Sequence, residues 1–452
     1  MIGLDTNIVS IAVPVIGRDL SAGISLLGWV ITAYVVATAA LLLQLGKVGD
    51  RYGRKRIYLI GFVLFGVASA LCGASFSIYQ LIAFRFFQGC AGAMLGANAA
   101  PLIFDSFPST QRGTAIGVNA IAYSIGAIAG PAAGGFIVFI DWRLIFYINV
   151  PVAAIAVLIG AKKIPKSKPV SAAPNAKSPL NIVNSLLLGL AVAFVLIWLT
   201  FFDIRYALIA LIPAVALIIL EIKSSNPLFD RLLVANRGFV YSIIGLTFLQ
   251  TAVLGVPFAL AFYYQILLRY TPIVTGMLIV PLAVASVITS PIAGALFDKI
   301  RFPAIITIIG ALACGVSEVI LGYAINARWT PIEISIVLVG VGAGNGLVWA
   351  PMISSIFKFV KPDIRGIASG ATYTLVNIAF ASSIAIVIAV AASFLPTTTA
   401  ANIFFGNAGN LSQTQEVLFQ QGLARSLFSL GIIDFIALPI IALVFIEQRK
   451  HF

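Results

Sequence analysis

The sequence predicts an all-α integral membrane protein, built from two related six-helix bundles with two extra helices between them, fourteen spans in all. Three observations predict it. The 452 residues are 61% hydrophobic and 10% charged, with a mean hydropathy of +1.08, whereas soluble domains carry about 25% charged residues. The apolar residues form long continuous runs, as spanning helices require, and not the ten-residue alternation of a membrane β-barrel. Finally, motifs from the first part of the chain recur in the last part.

The runs come in order. Six lie at 1–16, 24–45, 57–76, 78–104, 113–138 and 144–161, the N-terminal bundle (1–161). A polar linker, 162–180, contains KKIPKSKPVSAAPNAKSP and reads as a solvated loop. Two runs, 181–202 and 206–221, occupy the segment 181–238. Six more, at 239–267, 274–297, 303–325, 331–357, 367–394 and 425–447, form the C-terminal bundle and short tail (239–452). LSQTQEVLFQQGLARSLF, from Leu411, reads as an amphipathic helix before the last span, with Ser412 and Gln415 at capping-box spacing.

Charge sets the orientation. The net charge is +13, but the basic residues sit in short loops and not on a solvated face, so nucleic acid is not an expected partner. With both termini cytoplasmic, the inner loops and tail hold 21 Lys and Arg and the outer loops hold six, as the positive-inside rule requires. The expected location is the plasma membrane. The run GKVGDRYGRKR, Gly46 to Arg56, then reads as a cytoplasmic loop.

Catalytic and metal chemistry find no support. The only histidine is His451, which excludes histidine-dependent catalysis and the HExxH zinc motif. Cys72, Cys90 and Cys314 lie within apolar runs and read as buried hydrophobes. No cofactor and no enzyme activity are expected. The glycine-rich GVGAGNG, Gly340 to Gly346, lies in an apolar run without strand–turn–helix context and reads as helix packing.

The repeat is visible in two places. Gly46 and Asp50 have counterparts in Gly294 and Asp298, at an offset of 248. AAPLI around Pro101 with RGTAIG from Arg112 is matched by WAPMI around Pro351 with RGIASG from Arg365, at offsets of 250 and 253. Six plus six helices suit alternating access, in which two bundles rock about a central site.

These residues resemble the major facilitator superfamily, in particular its drug:proton antiporter branch with fourteen spans. The resemblance covers essentially the whole chain. It is carried by LDTNIVSIAVP (Leu4 to Pro14), GKVGDRYGRKR, RFFQGCAGA from Arg85, GAIAGPAAGG (Gly126 to Gly135) and DWRLIFYINVP (Asp141 to Pro151). It implies a major-facilitator-type fold and a monomer in the lipid bilayer. The cargo would be an amphipathic, cationic small molecule, exported in exchange for protons. It implies a cytoplasmic gate of Gly46, Asp50, Arg51, Gly53, Arg54, Asp105 and Arg112, in which Asp50 latches spans 2 and 13 and Arg54 bridges to Asp105. Gly126, Gly130, Pro131, Gly134 and Gly135 would form the antiporter motif, a bare, bent packing stripe on span 5.

Four residues are candidates for proton coupling. Asp5 is the acid of span 1. Span 1 is short, about 24 Å at 1.5 Å per residue against a core of about 30 Å, so the native chain is expected to begin upstream. Arg85 lies inside span 4 and should face the bundle interior with Gln88, because an arginine facing lipid costs at least about 2.5 kcal/mol. Glu318 and Asp434 are further intramembrane acids in spans that the resemblance makes peripheral. The expected cavity, lined by spans 1, 4, 9 and 12, includes Asn98, Gln250, Tyr264, Asn345 and Trp349, with Trp29 and Tyr34 on span 2 and Gln88 beside Arg85. Competing readings are a proton-coupled exporter of one endogenous metabolite and a non-transporting membrane sensor or scaffold. The second would want a soluble signalling domain, and no loop exceeds about 30 residues.

Overall fold

A computed structural model describes residues 5, 8–9, 12, 15–17, 19–20, 24–119, 137–138, 140–165, 181–201, 204–224, 231–300, 304–396, 399–400, 403 and 411–450. Every regular element among them is helical: α1 (Ile24–Tyr52), α2 (Arg54–Gly73), α3 (Ile78–Ser106), α4 (Leu144–Tyr147), α5 (Asn149–Lys163), α6 (Ile182–Phe201), α7 (Ile204–Lys223), α8 (Arg231–Ala235), α9 (Arg237–Val253), α10 (Val256–Phe262), α11 (Pro272–Lys299), α12 (Ala304–Asn326), α13 (Pro331–Lys358), α14 (Arg365–Ala392) and α15 (Gln413–Lys450). Among the described residues, ten helices are long and apolar enough to cross a membrane. The expected runs 2–4 and 6–14 fall on helices, whereas runs 1 and 5 lie largely outside the described residues.

The outer surface confirms lipid as the solvent. Phe76 is 83% exposed, Ile222 73% and Ile212 70%, while Arg85, Gln88 and Glu318 are buried. A water-soluble fold would place these the other way. The protein is a multi-pass integral membrane protein.

One boundary differs from expectation. Residues 46–52 are not loop but the last turns of α1, which runs to Tyr52, and α2 starts at Arg54. The reversal is made by Gly53 alone, at φ 98, a backbone conformation that L side chains resist. The expected amphipathic segment near Leu411 and the last span are one continuous helix, α15. Its capping box is formed: the Gln415 N–H donates to Ser412 Oγ at 3.3 Å and the Ser412 N–H to Gln415 Oε1 at 3.0 Å.

The chain divides into two compact units. The first is Met1–Ser109, Ala129–Val240 and Ile356–Asn377, and the second is Thr110–Ile128, Tyr241–Ser355 and Ile378–Phe452. In the first, α6 packs on α1, where a Cβ at Gly189 would lie 2.8 Å from Ala40 Cβ. Asn184 Nδ2 on α6 donates to Glu221 Oε2 on α7 at 2.7 Å. In the second, the glycines of GVGAGNG lie on α13, and Gly342 and Gly344 abut the carbonyls of Leu282 and Gly310. They serve helix packing, as the sequence suggests.

Candidate functional site

The most buried charges of the first unit meet around α3. That helix runs without interruption through Arg85 and Gln88, three residues apart and therefore on one face. Arg85 is 1% exposed and Asp5 is 0% exposed. Arg85 Nη1 donates to Asp5 Oδ2 at 2.6 Å and to Gln88 Oε1 at 2.6 Å, and Arg85 Nε donates to the Val30 carbonyl at 3.0 Å. Gln88 Nε2 donates to Asp5 Oδ1 at 3.0 Å and to Ser69 Oγ at 2.8 Å. Asn149 Nδ2, on α5, donates to the same Asp5 oxygen at 2.9 Å. The guanidinium lies 4.5 Å from the Tyr34 ring centroid. A buried guanidinium–carboxylate pair is tolerated only when its remaining donors and acceptors are filled, and here Gln88, Asn149 and the Val30 carbonyl fill them, with Ser69 in turn holding Gln88.

A second charge group surrounds the α1–α2 reversal. Arg54 is 4% exposed and Asp50 8%. Arg54 Nε donates to Asp50 Oδ1 at 2.8 Å, Nη1 to Asp105 Oδ2 at 2.6 Å and Nη2 to the Pro362 carbonyl at 2.5 Å. Arg365 Nη1 stands 3.5 Å from Asp105 Oδ1. Asp50 also accepts the backbone N–H groups of Gly366 and Ile367, at 3.1 and 3.3 Å. Those are the free donors of the first turn of α14, where a negative charge is favoured. The approach needs glycine on both sides, since a Cβ on Gly46 would collide with the Gly366 carbonyl, and one on Gly366 with that of Gly46. Arg51 stands apart from these ion pairs; it is exposed and lies 5.1 Å from the Tyr52 ring centroid.

The repeat places a counterpart in the second unit. Asp298, near the end of α11, accepts the N–H groups of Gly113 and Thr114 at 3.1 and 3.2 Å, at the start of the helical segment 112–119 that Arg112 opens. Gly113 and Gly294 meet backbone to backbone as Gly46 and Gly366 do. In the sequence Asp298 stands out only as a sign of repetition and is not among the expected gate residues. The offset of 248 from Asp50 was the signal that could have assigned it. Asn149 was missed as well, although it lies inside the quoted DWRLIFYINVP.

The expected cavity residues divide between the units. Trp29, Tyr34, Gln88 and Asn98 belong to the first and Gln250, Tyr264, Asn345 and Trp349 to the second. Asn98 ties α3 to α1, with Nδ2 donating to Met94 O at 2.9 Å and Leu45 O at 3.4 Å. Gln250 Nε2 donates to Asn345 Oδ1 at 3.2 Å, and Asn345 Nδ2 to Ser286 Oγ at 3.5 Å. Tyr264 is buried within a π-helical segment, Tyr263–Leu267, a feature that often marks functional sites. Glu318 on α12 and Asp434 on α15 are both fully buried. Gly126, Gly130, Pro131, Gly134 and Gly135 lie outside the described residues.

At a more exposed position, Asp19 accepts the Trp142 indole N–H at 2.9 Å and Arg143 Nη1 at 2.9 Å. The indole first, and then the guanidinium, hold its carboxyl below the ordinary carboxylate range.

Known proteins are similar to this chain in sequence and in fold. The chain matches the Major Facilitator Superfamily profile over residues 1–384. It is 33% identical over 386 residues to the riboflavin transporter RibZ of Clostridioides difficile, covering 84% of this chain and 82% of that one. It is 29% identical to the multidrug transporter protein MdtP of Bacillus subtilis, covering 82% of this chain and 69% of that one. It is 31% identical to the puromycin resistance protein pur8 of Streptomyces alboniger, covering 82% and 75%. The structure of the proton:xylose symporter XylE superposes with a TM-score of 0.66 at 16% identity, covering 97% of this chain and 91% of that one, which shows a shared fold. The chain belongs to the major facilitator superfamily, and is a transporter.

Proposed function

We propose that the protein is a secondary exporter in the cell membrane, with both termini cytoplasmic, that moves amphipathic, cationic small molecules outward in exchange for protons by alternating access. The observation that carries this reading is the buried Asp5–Arg85 pair at 2.6 Å. A proton arriving on Asp5 removes its negative charge and weakens its hold on Arg85, which keeps Gln88 Oε1 and the Val30 carbonyl as acceptors. Proton binding and cargo binding then compete through one carboxylate. Asn149 and Gln88 keep the carboxylate in place. The multidrug and puromycin-resistance names of two relatives support drug-like cargo.

The Asp50 and Asp298 clasps supply the two-state element. Each is made in the conformation described and broken when the helix ends part. Gly126, Gly130, Pro131, Gly134 and Gly135 would add a close-packing stripe on span 5, as the resemblance implies, and fourteen spans fit the branch.

A second reading is export of one flavin-like metabolite, favoured by the 33% identity to a riboflavin transporter. Proteoliposomes with an imposed ΔpH separate the two, using ethidium, tetraphenylphosphonium and riboflavin as probes. The proposal expects ethidium or tetraphenylphosphonium to dissipate ΔpH, at a rate that falls at least tenfold in Asp5→Asn. Response to riboflavin alone would install the second reading. No response to any probe would remove proton exchange.

A further inference from the structure

Glu318 on α12 and Asp434 on α15 are each 0% exposed. Among the described residues, none of their carboxyl oxygens has a hydrogen-bond partner, and neither residue makes an ion pair. The sequence presents them as two unrelated acids, but the structure puts both on one helix seam. A Cβ at Gly315 would lie 3.2 Å from Asp434 Cβ, and one at Gly431 would lie 2.9 Å from the Gly315 carbonyl oxygen. Gly322 approaches the Ala424 carbonyl in the same way, at 2.8 Å for an added Cβ. Glycine at these positions brings the two backbones into contact. Glu318 lies between Gly315 and Gly322 on that same face of α12.

Among the described residues, the surroundings carry no compensating charge. On α12 the neighbours are Cys314 and Ser317. α13 presents Gly344 to Cys314 and Gly340 to Ser317, and α15 presents Gly431 and Phe435 to Gly315. Arg425, on α15, is exposed. Ionised carboxylates buried without a cation cost several kcal/mol each, so an uncharged pair is the form compatible with the closed seam. The other form requires water, and hence parting of α12 and α15.

We propose that Glu318 and Asp434 form a proton-binding site in the second unit, separate from the Asp5 network, which holds protons while α12 and α15 are packed and gives them to water when the seam opens. In release, a carboxyl O–H bond breaks, the proton passes to water and a carboxylate remains; binding is the reverse. The site deepens the proton-exchange reading and rests on that reading for its part in transport, but proton binding itself can be measured without any cargo.

The test is infrared titration of the full chain in lipid, in H₂O and in D₂O. The expected result is a protonated-carboxyl C=O band at neutral pH that shifts in D₂O and declines as pH rises. Glu318→Gln and Asp434→Asn should each remove part of the band, and the double variant most of it, while Asp5→Asn leaves it in place. Absence of the band, its survival in the double variant, or its indifference to both D₂O and alkali would overturn the proposal. Because the wild type alone gives the first and last of these outcomes, a misfolded variant does not leave the question open. Failure of all three probes to dissipate ΔpH would sink the exchange reading and leave this titration standing.

Discussion

The two clasps differ in what surrounds the same design. Asp50 and Asp298 each accept two N–H groups at a helix start, at 3.1–3.3 Å and 3.1–3.2 Å. Each stands beside a pair of glycines in backbone contact. Only Asp50 is joined to a guanidinium, Arg54, which reaches on to Asp105 and the Pro362 carbonyl. Among the described residues, Asp298 makes no ion pair. Asp50 is also the more buried of the two. The glycines and the carboxylate therefore form the minimum that the repeat keeps, and the arginine network is an addition in the first copy. Removing the shared glycines should harm both copies alike, whereas removing the arginine, or the carboxylate it pairs with, should harm the first copy more.

The largest effect is expected from Arg54→Met. It strands Asp50 in a buried site without a cation, a loss on the order of 3–5 kcal/mol, read as a fall in detergent Tm. The second unit has no equivalent substitution. Next come Gly46→Ala and Gly294→Ala. Each forces a methyl into a facing carbonyl, and overpacking costs about 1–3 kcal/mol. The two should be equally damaging when labelling of cysteines placed nearby is compared; a large difference would break the likeness of the copies.

Asp50→Asn and Asp298→Asn sharpen the contrast. A hydrogen bond to a charged group contributes about 1.5–3 kcal/mol, and Asp50 loses an ion pair besides. Flux should fall at least tenfold in Asp50→Asn and only several-fold in Asp298→Asn, with normal insertion in both. Equal losses would make the arginine network irrelevant to the clasp. The smallest effect belongs to Asp19→Asn, outside both clasps. The Asp19 carboxyl is held below its ordinary range, so its contribution is present above the unfolded carboxylate range and fades as pH falls through the lower, folded value. The variant should match the wild type at strongly acidic pH and differ slightly at neutral pH, as read by Tm.

Much of this was legible in the sequence, for physical reasons. Apolar runs locate helices because the chain must satisfy its backbone groups internally in lipid. Asp50, Arg54 and Asp105 could be named because GKVGDRYGRKR resembles a family loop motif, and that resemblance implies the bridge from Arg54 to Asp105. The stretch from Gly46 to Tyr52 reads as loop in the sequence because it is charged, yet Lys and Arg side chains can reach the interface from a helix end. Asp298 was visible as a repeat, but its partners Gly113 and Thr114 lie on a distant segment. Glu318 and Asp434 could not be joined beforehand, since helix pairing decides their neighbours and no periodicity reports it.

The claim that the clasps open and close during transport has one direct test. Thr114→Cys and Asp298→Cys place two thiols where side-chain oxygens stand 3.5 Å apart, in a chain whose Cys72, Cys90 and Cys314 are replaced by Ala. Oxidation should halt ethidium efflux and reduction should restore it to the level before cross-linking. Undiminished efflux with the disulfide fully formed would contradict the account.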